Sequence, residues 1–418
     1  MESVDRMPMV EEPEPSGPPV REIGLGQWMR ENLFNTWYNT VLTIVFGVIM
    51  AWALFASLRF VFVNGRWEVV RRNLTLLLVE RFPRDQLWRP WAALFILTIT
   101  VALFLGASAA ARRGDPVRER PPLTPVEIVR RMWPLGVLAA ALLLLSSGIL
   151  PIVLVVALFA AALGARLAGE RLPGWLTRAR FLLLVVGGVA TFEVVIAFGG
   201  QGWERWGGLM LLLFLAVGAI ALSFPLGVLL ALGRRSRLPA FRLVSTVYIE
   251  LIRGVPLITL LFMGAFMLGF FFPVGFPRPS LVVRALIALI LFTAAYVAEV
   301  VRGGLQSIPY AQIEAAQALG LSPTKVTRLV VLPQALRAVI PALVGQFISL
   351  WKDVALVSII GLSEVLSIAQ RITQQTDFRA QGLQAEVLAF AGFVYWVGAY
   401  WMSRESQRLE RRLAVGDR

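Results

Sequence analysis

The sequence predicts an all-α integral membrane protein; two observations carry that prediction, and a third bounds its chemistry. First, apolar residues make up 57 % of the 418, charged residues only 16 %, and the mean hydropathy is +0.72. Soluble chains carry about 45–50 % apolar and about 25 % charged residues. Second, the apolar residues gather into runs near the roughly 20 that a helix needs to cross about 30 Å of hydrocarbon. Third, the chain has no Cys and no His. Thiol catalysis, disulfide frameworks, Cys/His zinc sites and His-based general base chemistry are therefore excluded.

Residues 1–39 are polar and Pro-rich (Pro13, Pro15, Pro18, Pro19), a disordered tail running into an amphipathic lead-in. No short apolar stretch with a small-residue cleavage site follows, so no cleaved signal peptide is expected. Counting apolar runs gives about ten spans. The first two are Thr40 to Val63 and Trp91 to Ala111. Trp133 to Ala168 is too long for one span, and Ser146-Ser147-Gly148 with Pro151 breaks it into a tight hairpin. Phe181 to Phe198, Gly207 to Leu232, Val255 to Phe272, Leu281 to Val301, Leu336 to Ile360 and Ala385 to Met402 complete the set. Gly199 to Arg205 reads as a surface turn. By character the chain divides into a tail (1–39), an extension with about five spans (40–200), a core (207–403) and a C-terminal tail (404–418).

The formal charge is +14, nearly all of its basic side from arginine, because Lys325 and Lys352 are the only lysines. In so apolar a chain the basic excess points to loops on the cytoplasmic side rather than to nucleic acid. Arg112, Arg113, Arg118, Arg120, Arg130 and Arg131 fall between spans two and three. Arg171, Arg178 and Arg180 follow span four, and Arg234, Arg235, Arg237 and Arg242 follow span six. With ten spans these segments and both tails lie inside. Gly65 to Pro90 disagrees: it carries six arginines, yet parity places it outside. Its apolar spacing (Val69, Val70, Leu74, Leu77, Leu78) predicts an amphipathic helix lying on the outer interface.

A nucleotide-binding Walker loop needs a Gly-Lys-Ser/Thr ending. Thr324 precedes Lys325 and Trp351 precedes Lys352, so neither lysine fits. The informative segment is Arg302 to Arg337, about 35 residues where helix connections in bundles usually take 2–8. Pro309 opens a first short helix that runs through Glu314 to Leu319, with Gly320 placed to cap it. Ser322 and Pro323 start a second helix, which ends at Leu332-Pro333. With the small residues Ala315, Ala316 and Ala318, this is a docking shape that lets a partner approach closely.

Glu314-Ala315-Ala316, then Gly320, then Val330-x-Leu332-Pro333 resembles the EAA loop of ABC-importer permeases, which docks on the ATPase subunit. Further blocks resemble the polar amino acid (histidine-glutamine permease-like) branch: Tyr248-Ile-Glu-Leu-Ile-Arg253-Gly-Val-Pro256, Ala295-Tyr-Val-Ala-Glu299-Val-Val-Arg302-Gly-Gly, Leu332-Pro-Gln-Ala-Leu-Arg337, and Lys352-Asp353 followed by Leu356. The likeness covers roughly Gly207 to Glu410. The extended N-terminal half is similar to long-form subunits of general L-amino acid importers. The chain departs from the family at Tyr310-Ala311, where Lys-Gly is frequent, at Val354-Ala355, where Thr-Ser is frequent, and at Gly345, where Asn is frequent.

The resemblance implies a type I ABC-importer core in the C-terminal five spans, with a cytoplasmic coupling helix. It implies a non-catalytic permease in the bacterial inner membrane, moving L-amino acids by alternating access. Its implied partners are an ABC ATPase dimer, a second related permease forming a heterodimer, and an extracytoplasmic amino acid-binding protein. No cofactor is expected on this chain; ATP and Mg belong to the ATPase. Pro309, Glu314, Ala315, Ala316, Gly320, Leu332 and Pro333 are the implied docking residues.

Charges within spans are costly and face protein or water. Glu250 and Arg253, spaced i, i+3, are read as a structural pair or as substrate contacts, and Glu299 and Arg302 repeat the spacing. Tyr296, Lys352 and Asp353 join them as candidate pathway or gating residues, with adjacent Lys352 and Asp353 facing different partners. Glu193 in span five has no evident partner. An ion-gradient-driven secondary transporter is the alternative function; it requires intramembrane acids and an inverted repeat, whereas the acids here sit near span ends. A membrane enzyme or a scaffold is a third class, the enzyme weakened by the missing His and Cys.

Overall fold

The computed structural model describes residues 24–111, 124–146, 149–195, 205–273, 275, 278–379 and 381–414. Among them the elements are helical and none forms a strand. Seven helices are long and apolar enough to cross a membrane, and an eighth passes as a bent pair. The apolar helices Trp133–Leu145 and Arg180–Thr191 are shorter than that, so the count of ten spans is not confirmed. At 1.5 Å per residue, the 13 residues of Trp133–Leu145 reach only about 20 Å. The Pro-rich stretch at 1–23, the arginines from Arg112 to Arg120, the turn at 199–204 and the side chain of Glu193 lie outside the described residues.

The chain forms two compact units, Met1–Gly65 and Arg66–Arg418. The first holds α1 (Leu25–Asn32) and α2 (Trp37–Arg59). The Thr36 hydroxyl accepts the Asn39 N–H at the start of α2, and the Thr43 hydroxyl donates to the Leu33 carbonyl. No side chain of α2 is buried. An apolar helix of this kind is solvated by lipid or by a partner helix.

In the second unit, α3 (Glu68–Arg72), α4 (Leu74–Val79) and α5 (Trp88–Ala110) precede α6 (Pro125–Arg131), α7 (Trp133–Leu145), α8 (Ile149–Glu170), α9 (Gly174–Arg178) and α10 (Arg180–Val195). Helix α5 packs against α8 and α10. Then come α11 (Gly208–Arg234), α12 (Pro239–Arg253), α13 (Leu257–Phe262) and α14 (Leu281–Gln306). Helices α11 and α14 are the central pair. One apolar core surrounds Leu211, Leu215, Leu289, Val354 and Ile368; a second surrounds Ala231, Val297, Val301, Ala316 and Ala335. The second core sits at the C-terminal ends of α11 and α14.

Span seven starts at a corner: α12 and the stretch Leu257–Phe271 meet at 107°. The corner falls at Gly254-Val255-Pro256, where proline forbids continued helical bonding. The apolar stripe of segment 65–90 faces protein rather than lipid. Val69, Val70, Leu74 and Leu77 are buried in the protein core against α11, α19 (Val365–Ile372) and α21 (Gln384–Ala414). A protein groove was available to the same amphipathic stripe, and periodicity alone does not distinguish protein from lipid. Beyond the last span, which the sequence ends at Met402, α21 continues as a helix to Ala414.

Candidate functional site

The segment after α14 is built as its residues dictate. Pro309 has an extended backbone and precedes α15 (Tyr310–Ala318). Gly320 takes φ +77°, a left-handed conformation that costs a residue with a Cβ about 1–2 kcal/mol. The Leu321 N–H donates to Ala316 O at 3.2 Å and the Gly320 N–H to Gln317 O at 2.9 Å. Those two bonds make a Schellman cap that ends α15 sharply. Ser322 has the extended cap backbone and Pro323 is the first residue of α16 (Pro323–Lys325), but the Ser322 hydroxyl makes no capping bond.

The second helix does not end at Leu332-Pro333. It passes through a π-turn, Val326–Val331, into α17 (Leu332–Ala338), with Pro333 in the first turn. The wider turn changes the bonding pattern where proline supplies no N–H.

Ala316 is buried in the second core, under α15, while Glu314, Ala315, Tyr310 and Leu319 point away from the protein. Glu314 makes no ion pair among the described residues. Leu332 is half-buried and Pro333 exposed. The segment therefore presents an apolar, small-residue surface with one free carboxylate, mounted on the ends of α11 and α14.

Beside it lies a charged cluster. Glu299 receives Arg302 through two guanidinium nitrogens, Nε at 3.0 Å, with Arg234 at 3.4 Å and Arg253 at 3.5 Å. Arg234 also pairs with Glu250 at 2.7 Å, and Arg302 donates to Gln306 at 2.7 Å. The Arg253 guanidinium stands 5.7 Å from the Tyr296 ring centre, within cation–π range. The Glu299–Arg302 pair forms as its spacing predicts. Glu250 and Arg253 do not pair with each other, because α11 brings Arg234 to the first and α14 brings Glu299 to the second. The cluster thereby ties α11, α12 and α14 together near their ends.

Lys352 and Asp353 do not join this cluster. They end α18 (Ile340–Asp353), Lys352 exposed and Asp353 half-buried, and neither makes an ion pair among the described residues. After them the backbone tightens into a 3-10 stretch, Val354–Ile360. The neighbouring Trp351 is buried; its indole donates to Tyr395 O at 2.9 Å.

That contact leads to a residue sequence reasoning missed. Glu364 is fully buried. Its carboxylate caps α19 by accepting the Leu366 N–H at 2.6 Å and the Ser367 N–H at 2.7 Å, and it accepts the Tyr395 hydroxyl at 2.8 Å. Burial pushes the Glu364 carboxyl above its usual range, with the hydrogen bonds opposing that shift. The available signal was local: Ser363-Glu364 follows Gly361 and precedes an amphipathic stretch, the pattern of a helix start.

Residues 223–415 match the family described as "Binding-protein-dependent transport system inner membrane component". The chain is similar to the inner membrane amino-acid ABC transporter permease protein YhdY of Escherichia coli (strain K12), 37 % identical over 408 residues, covering 93 % of each chain. It is 33 % identical over 438 residues to the glutamate/glutamine/aspartate/asparagine transport system permease protein BztC of Rhodobacter capsulatus, covering 96 % of each. A shorter relative, the probable glutamine ABC transporter permease protein GlnP of Bacillus subtilis, is 36 % identical over 208 residues, which are 92 % of its length and 50 % of this chain. Half of this chain thus has no counterpart there.

Proposed function

This chain belongs to the family of membrane-spanning permeases of amino-acid ABC importers, and we propose how its residues serve that role. The chain is a multi-pass inner-membrane transport subunit that works with an ATPase rather than hydrolysing ATP itself. The supporting observation is the match to YhdY, end to end on both chains.

In this reading α15 is the coupling helix. An ATPase dimer binds ATP and Mg, closes, and pushes on Tyr310, Glu314, Ala315 and Leu319. Glu314 meets a cationic group of that partner. The Schellman cap at Gly320 makes α15 a lever with a defined end, and Ala316 passes the push to the second core. Leu332 and Pro333 brace the lever from α17. The cluster around Glu299 moves with the ends of α11, α12 and α14. Arg234, Arg253 and Arg302 exchange partners there as the cavity turns from inward-open to outward-open. Lys352 and Asp353, about 20 Å along α18 from its start, stand near mid-depth, where a zwitterion's carboxylate and ammonium would need opposite charges. The cargo is an L-amino acid of the polar or general class, handed over by an extracytoplasmic binding protein. Transport uses a second, related permease as the other half of a heterodimer. Both termini lie in the cytoplasm.

The test is uptake of radiolabelled amino acids into proteoliposomes holding the assembled complex. Uptake that requires ATP and the binding protein supports the reading. Uptake driven by an ion gradient without the ATPase would establish the secondary-transporter alternative instead.

A further inference from the structure

The segment 66–86 sits at the end of α11 opposite the coupling segment. A Cβ on Gly208, the first residue of α11, would lie 2.4 Å from Leu77 O, so α4 and the start of α11 are in backbone contact. At the other end of α11, Arg235 donates to Leu305 O and Ala231 shares a core with Ala316. The 27 residues of α11 separate the two ends by about 40 Å.

This strap is tied down along its length. The Arg66 side chain donates to Gln381 O at 2.5 Å and its N–H to Glu386 at 3.1 Å. Gln375 donates to Asn73 at 3.3 Å, and Arg371 pairs with Glu80 at 2.8 Å. Glu80 holds φ +50°, the one non-glycine positive φ among the described residues, and such strain persists only where surroundings over-determine it.

What the strap leaves outward is mainly basic, three arginines against the exposed Asp85. Arg71, Arg81 and Arg84 are exposed and form no ion pair among the described residues, while Arg72 and Glu68 neutralise each other at 2.9 Å. Beside Arg81 a cleft of about 200 Å³ opens between Glu80, Trp206, Ser363 and Arg371.

Three exposed arginines at the outer end run against the usual bias of basic residues toward the cytoplasm. A helix that binds anionic lipid carries an exposed apolar face beside its basic one. Here the apolar face is already buried in the core, through Val69, Val70, Leu74 and Leu77. We propose that the strap is a docking surface for the acidic face of a soluble extracytoplasmic protein, with Arg71, Arg81 and Arg84 as its contacts. The inference rests on the importer reading, in which this end faces outward and the docking protein is the amino acid-binding protein. Short relatives such as GlnP match only half of this chain, and the strap lies outside the family-matched residues 223–415. The surface is thus a feature of the long form.

The test uses the full complex in lipid nanodiscs, titrated with the purified amino acid-binding protein that supports its uptake. The variant Arg71→Glu/Arg81→Glu/Arg84→Glu should bind at least about tenfold more weakly at low salt. Wild-type affinity should fall with NaCl, whereas the Glu variant's should rise as salt screens its repulsion from the acidic face. The Gln triple variant should fall between them. An unchanged unfolding midpoint verifies the fold, as expected for exposed, unpaired side chains. Equal affinity and equal salt slope in the Glu variant would overturn the proposal. So would an unchanged affinity together with loss of stabilisation by phosphatidylglycerol over phosphatidylcholine nanodiscs, which would assign the arginines to lipid headgroups. ATP-driven uptake by the wild type is measured in parallel. If it persists while docking is unchanged, only the docking surface fails; if it is absent, the importer reading fails and takes the proposal with it.

Discussion

The two ends of the core handle a carboxylate in opposite ways. At the coupling end Glu299 is about a quarter exposed and shared among three arginines, two of them at 3.4 and 3.5 Å. At the strap end Glu364 is fully buried and held by two backbone N–H groups and one hydroxyl, all within 2.8 Å. A wet ion pair gains little and exchanges partners easily. A dry carboxylate with satisfied donors is costly to disturb, because each orphaned buried group costs about 1–3 kcal/mol. The comparison teaches that the two ends differ in solvation: Glu299 shares its charge among partly wet arginines, whereas Glu364 is dry and fully bonded.

That contrast can be broken by substitution. The largest effect is expected from Glu364→Ala, which leaves three donors unsatisfied at the start of α19. A loss of about 2–4 kcal/mol should appear as a lower unfolding midpoint in detergent. An unshifted midpoint would mean that water replaces the carboxylate. Next is Gly320→Val. The space around Gly320 is open, so the cost is backbone strain alone, about 1–2 kcal/mol. Amino acid uptake per ATP hydrolysed should fall, whereas Gly320→Asn, which tolerates positive φ, should retain coupling.

Glu364 also sets a pH dependence. Burial raises its carboxyl in the folded state, so the folded chain holds this proton more tightly than the unfolded one. Its contribution is full below the unfolded value of about 4.3 and is lost as pH rises through the raised folded value. Glu364→Gln keeps the neutral shape and removes the titration. The stability of wild type relative to this variant should decline as pH rises from about 4, read from unfolding midpoints across a pH series. A pH-independent difference would show that the carboxylate is already compensated in full.

Smaller effects mark the wet end. Glu299→Gln should cost about 1 kcal/mol while slowing uptake, because the arginines of α11, α12 and α14 lose their shared partner. The smallest is Arg72→Ala on the strap surface, under about 0.5 kcal/mol, since both partners of that pair are more than half exposed. A larger loss there would mean that the strap's surface charges brace it.

Much of the coupling segment was legible because its signals are local. Pro309, Gly320 and Pro323 act through backbone constraints within a few residues, and all three stand where their chemistry places them. Glu299 with Arg302 was legible for the same reason, one helical turn apart. The partners of Glu250 and Arg253 were not, because two other helices, α11 and α14, supply them. Glu364 was passed over because its distinguishing property is burial, and Tyr395 reaches it from 31 residues away. The strap was misassigned because a stripe of apolar residues announces that it will be buried without saying against what.

By itself, then, the sequence determined the membrane class, the cap at Gly320 and the family motifs. These depend on composition, period and short-range backbone sterics. Only the tertiary structure decided that the arginine-bearing loop caps the far end of the core, that Glu299 is a hub and that Glu364 is dry. Each of those needs chain segments far apart in sequence to meet, and burial with charge pairing follows from that meeting.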